Sequence, residues 1–202
     1  MKIIILLLLL INISGFADNY SGIGGSIGFS TFKLPDYYED DYLSATSANI
    51  CFTSSEGGNF IIIKEINFGW IFNANLLNNE KVTSIIQNYP VAITLNFLLG
   101  LGFQFYINRT LSCELGIGVN SYSNVISGPG SNEIGYVDSD IGLSGICAIH
   151  YLLSEKTRLR IGMVCAYNTY NIYEILGTCS NYGFENALYI YPSIVLMQRI
   201  IK

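Results

Sequence analysis

VAITLNFLLGLGFQFYI, from Val91 to Ile107, carries an apolar side chain at every odd position: Val91, Ile93, Leu95, Phe97, Leu99, Leu101, Phe103, Phe105 and Ile107. The even positions between them are mostly small or polar, among them Thr94, Asn96, Gly100, Gly102 and Gln104. Successive side chains of a strand point to opposite sides, so strict period two reads as a β-strand with one apolar face and one polar face. The run is also much longer than an ordinary globular strand of about 5–6 residues. A transmembrane β-barrel needs such strands: about ten residues to cross the bilayer, apolar toward lipid and polar toward the lumen.

The N-terminus points the same way. Lys2 precedes an unbroken apolar run from Ile3 to Ile11, and a short polar stretch leads to Gly15-Phe16-Ala17, with small residues at the spacing a signal peptidase reads. The apolar run is too short for a spanning helix of about 20 residues. Residues 1–17 are therefore expected to be a cleaved signal peptide, and no cysteine follows the run to serve as a lipoprotein anchor. The rest of the chain suits one domain. Charged residues make up only 12% of the sequence and mean hydropathy is +0.40, yet no run of 18 apolar residues exists. A barrel facing lipid accounts for that composition, since its outer wall is apolar by requirement. The formal net charge of −5 argues against a nucleic-acid partner.

Eight strands follow from the alternation. They run about Tyr20–Phe32, Ala45–Ser54, Asn59–Phe72, the opening stretch, Leu111–Tyr122, Ser139–Leu153, Arg158–Tyr170 and Phe184–Ile200. Connections alternate between long and short, with short turns at Ser55–Gly58, Asn108–Thr110 and Glu155–Thr157. Charge follows the same polarity. Six of the ten Lys and Arg residues (Arg109, Lys156, Arg158, Arg160, Arg199, Lys202) lie near the short-turn end. Asp36, Glu39, Asp40, Asp41, Glu80, Glu133, Asp138 and Glu174 lie in or beside the long loops.

In these features the chain resembles the small eight-stranded outer-membrane β-barrel superfamily, the OmpA/OmpX-like transmembrane domain. The resemblance covers residues 18–202 and rests on pattern rather than on a signature motif. It implies an all-β, eight-stranded antiparallel up-and-down barrel in the bacterial outer membrane, with short turns in the periplasm and long loops outside. Three features depart from the family pattern. The chain ends Arg199-Ile200-Ile201-Lys202 rather than in an aromatic residue, Pro192 falls inside the last strand, and Lys64 shares the lipid-facing parity of Ile62 and Ile66. A bulge, an interfacial position or a different register would each account for Lys64.

Four charged residues, Glu65, Glu114, Arg158 and Arg160, fall on the inward parity of their strands. They are expected to form a lumen ion-pair network, because unpaired charge inside a barrel is costly. His150 is the only histidine and takes the same inward parity near the periplasmic end, where hydrogen bonding within the lumen is the expected role. No catalytic residue, cofactor or metal is expected. Five cysteines, an odd number, lie mainly within strands and read as small apolar fillers. Cys147 and Cys165 would face each other, within reach of a cross-strand disulfide, if Ser154 pairs with Arg158 across a three-residue turn. The loop Asp36, Tyr37, Tyr38, Glu39, Asp40, Asp41, Tyr42 is a candidate contact surface for an extracellular protein or a host surface.

The expected function is a surface-exposed structural or interaction protein with outer-membrane lipid around it and a filled lumen. A narrow solute or ion channel on the same barrel is one alternative. The other is a soluble exported lipocalin-like barrel with an apolar ligand inside, in which the two faces exchange meaning. Oligomeric state is left open by the sequence.

Overall fold

The computed structural model describes residues 19–33, 42–78, 81–84, 91–127, 136–175, 178–182 and 187–200. The signal-peptide segment and residues 36–41 of the acidic loop lie outside these. The described residues form ten strands: β1 Asn19–Lys33, β2 Tyr42–Gly57, β3 Phe60–Asn78, β4 Lys81–Ser84, β5 Val91–Tyr106, β6 Leu111–Ser127, β7 Tyr136–Ser154, β8 Thr157–Ile175, β9 Thr178–Tyr182 and β10 Ala187–Ile200. Eight of them close a barrel in the order β1-β2-β3-β5-β6-β7-β8-β10, every neighbour antiparallel and β10 returning to β1. β4 pairs with β3 and β9 with β8, both at the long-loop end. The stretches 73–89 and 171–183, read from sequence as loops, thus begin as continuations of strands. Where both faces meet water, the apolar alternation that marks a strand is no longer imposed, so the pattern fades while the backbone ladder continues.

Register fixes the dimensions. A path of paired residues leaves β1 at Tyr20, passes Ser55, Ile63, Gly100, Gly118, Ser144, Ala166 and Tyr189, and returns to β1 at Ser30, ten residues along. With eight strands and this stagger, the strands tilt about 40° and the backbone cylinder has a radius of about 8 Å. Side chains alone fill such an interior.

Large apolar side chains cover the exterior on all eight barrel strands, including Ile23, Phe52, Trp70, Leu101, Ile117 (76% exposed), Leu143 (72%), Ile161 and Leu196. A soluble monomer rarely exposes more than a few hundred Å² of contiguous apolar surface. The apolar faces therefore point outward, opposite to the arrangement the lipocalin-like alternative requires. Lys64 does face outward, but it sits near the β2–β3 turn and its Nζ donates to Glu56 Oε1 at 2.9 Å.

Pro192 also finds a place. It stays in register with Met163 of β8, while the β1–β10 ladder skips the residues between Ser26↔Ser193 and Phe29↔Ile190. The donor that proline lacks coincides with a gap in the ladder.

Candidate functional site: a charged cluster across the lumen

Inward residues come from one parity of each strand. On β8 these are Arg158, Arg160, Gly162, Val164, Ala166 and Asn168, all buried. Arg160, fully buried, crosses the lumen to Glu65 on β3, four strands away and thus on the opposite wall. Its Nη1 donates to Glu65 Oε2 at 3.1 Å and to Ser193 Oγ of β10 at 3.4 Å. Its Nη2 and Nε reach Glu114 Oε1 of β6 at 2.8 and 3.3 Å. One guanidinium therefore ties four strands together at the axis of the barrel.

The carboxylates have further partners. Glu65 accepts from Asn67 Nδ2 at 2.9 Å and from Thr53 Oγ1 at 3.3 Å, and Asn67 Oδ1 accepts from Ser26 Oγ at 2.9 Å. Glu114 Oε2 lies 3.0 Å from His150 Nε2 on the neighbouring strand. A carboxylate only accepts, so Nε2 carries the proton of this bond. Burial of three charges is tolerable because each carboxylate oxygen has a donor and the guanidinium has two carboxylates.

Arg158 departs from the arrangement read in the sequence. It makes no ion pair among the described residues. Its Nη2 donates to Ser55 Oγ on β2, and its guanidinium lies 3.8 Å from the centre of the Tyr20 ring. Two residues along a strand are about 7 Å apart, so Arg158 occupies a separate layer, nearer the short turns than Arg160.

Toward the long-loop end the lumen changes character. Tyr189 donates to Asp140 Oδ2, and its ring centre lies 4.0 Å from that of Tyr122. Beside these lie Leu98, Ile146, Val164 and Tyr191, part of a buried apolar cluster that extends to Ile61 and Ile63 near the β2–β3 turn. The sequence reading of a filled polar lumen did not include this apolar packing. Asp140 was missed as well, although it shares the parity of His150 and could have been placed inside on that ground.

The Cys147–Cys165 bridge does not form. Ser154 pairs with Thr157, not Arg158, and a bulge at Leu153 shifts the register again, so Cys147 faces Met163 and Cys165 faces Gly145. Both are free thiols. Of the acidic tyrosine-rich loop, only Tyr42 falls within the described residues, as the first residue of β2.

The described geometry defines a closed eight-stranded antiparallel barrel with an apolar exterior. Among solved structures it is similar to Neisserial surface protein A (TM-score 0.61, 10% identity, covering 90% of this chain and 97% of that one). It is also similar to the outer membrane protein OprG from Pseudomonas aeruginosa (TM-score 0.61, 12% identity, 94% and 99%). A third is the outer membrane protein AlkL in DMPC bilayers (TM-score 0.60, 11% identity, 94% and 93%). At such identities the likeness is one of fold. No protein-family model matches the sequence, and no curated protein matches it.

Proposed function

We propose that the chain is an integral protein of the bacterial outer membrane. On this reading it is a barrel closed by its own side chains, acting at the cell surface as a structural or interaction protein through the loops opposite the short turns. Arg160 carries the reading: fully buried, it joins opposite walls of a barrel about 8 Å in radius, an arrangement that holds the lumen closed. Activity would then reside in the loops, with the acidic, tyrosine-rich segment from Asp36 to Tyr42 as the contact surface for an extracellular protein.

Two measurements test this. In intact cells, added protease should cut only in the loops near residues 33–44 and 123–138. In planar bilayers the purified barrel should show no discrete conductance steps. Cleavage at the short turns would reverse the orientation, and regular steps would favour a narrow channel. One observation speaks for that second reading. Both polar side-chain atoms of Asn124 and Asn168 are buried without a hydrogen-bond partner among the described residues. Amides of this kind suit a lumen that water enters from the loop side.

A further inference from the structure

A cup of about 360 Å³ opens at the short-turn mouth of the barrel, walled by Tyr20, Gln104, Arg109, His150, Arg158 and Arg199. Glu155 is the one acid of that wall among the described residues. Among the described residues Arg158, 5% exposed, makes no ion pair and its Nε finds no acceptor. A buried guanidinium without a carboxylate is costly unless an anion comes to it. His150, 2% exposed, lines the same cup with Nε2 committed to Glu114 and Nδ1 without a partner among the described residues.

We propose that this cup is a phosphate-binding site open to the periplasm, with Arg158 as its anchor and Arg109 and Arg199 at its rim. A phosphate oxyanion supplies acceptors to the guanidinium groups, and its remaining O–H suits a neutral His150, whose Nδ1 can only accept. The periplasmic address rests on the orientation proposed above. The binding chemistry does not, so purified protein tests the site and cell-surface proteolysis tests the orientation separately.

The test is a titration of inorganic phosphate into the barrel reconstituted in zwitterionic lipid nanodiscs, followed by ³¹P NMR and calorimetry. Saturable binding of one phosphate is expected, weakened about tenfold or more in Arg158→Gln, which loses a charge-assisted hydrogen bond. Arg109→Gln, at an exposed turn position, should weaken it about two- to fivefold through lost attraction and leave folding untouched. Lys64→Gln, on the outer wall, removes the same charge and should leave binding unchanged. No saturable binding, or equal losses in Arg109→Gln and Lys64→Gln, would overturn the site. If Arg158→Gln fails to fold, the Arg109 and Lys64 pair still decides. Discs containing phosphatidic acid separate the sources of phosphate. Competition with inorganic phosphate assigns the cup to a lipid headgroup, and its absence assigns it to free phosphate; both support the site.

Discussion

Arg160 shows how much of the lumen rests on one side chain. Its guanidinium answers two buried carboxylates on two other strands. Removing the cation leaves Glu65 and Glu114 uncompensated in a low-dielectric interior. Breaking a buried pair from one side costs about 3–5 kcal/mol. Arg160→Met is therefore expected to lower unfolding stability by that amount, measured by urea unfolding from vesicles with Trp70, the single tryptophan and one that faces outward, as the reporter. Adding Glu65→Gln and Glu114→Gln to it should restore most of the loss, because the repulsion disappears with the charges. A loss below about 1 kcal/mol in the single variant would mean that water enters and solvates the carboxylates. Parity alone was enough to read Glu65, Glu114 and Arg160 as inward. It could not separate Arg158 from Arg160, since both share a face and only the distance across the lumen decides which carboxylates each can reach.

At the scale of elements, the turns and bulges decide what lies opposite what. Gly57 closes the β2–β3 turn with a φ of 132°, a conformation that side chains resist, and a Cβ there would collide with the Phe60 carbonyl. Gly58, its neighbour, has open space around it. Gly57→Ala should therefore cost about 1–3 kcal/mol, while Gly58→Ala should stay within about 0.5 kcal/mol. Comparing the two urea midpoints checks this, and equal midpoints would show that the turn relaxes freely. Bulges act on register in the same local way. The ladder jumps from Thr46↔Asn73 to Ser47↔Ile71, so Phe72 and Asn73 are both exposed and the parity of β3 reverses beyond them. A second jump leaves Leu153 unpaired and slides Cys147 past Cys165. Neither bulge carries a glycine or proline signal in the sequence, which is why strand number and faces could be read but the pairing of β7 with β8 could not. Nor could the apolar part of the lumen. In Ile61-Ile62-Ile63 both parities are isoleucine, and the inward pair packs with Leu98 and Ile146.

For the molecule as a whole, the decisive question is which solvent the outer wall meets, because a closed barrel of this size exists in water and in lipid alike. Its exterior answers with a girdle of exposed leucine, isoleucine and phenylalanine around the entire circumference. The two solvents give opposite outcomes for one substitution. Ile117, 76% exposed on β6, lies six residues from the β5–β6 turn, about 15 Å along the barrel axis and near the middle of an apolar band about 25 Å tall. In lipid, Ile117→Arg should cost about 2–4 kcal/mol of folding stability, whereas Tyr106→Arg, at the turn end of β5, should cost about 0–1 kcal/mol. In water, both positions are exposed and both changes should fall within about 0.5 kcal/mol. Folding into vesicles, followed by the slower migration of unfolded chain on unheated gels and by urea titration, measures the difference. A depth-dependent penalty, large at Ile117 and small at Tyr106, places the girdle in the bilayer. Two equal and negligible costs would mean that the outer wall meets water and not lipid.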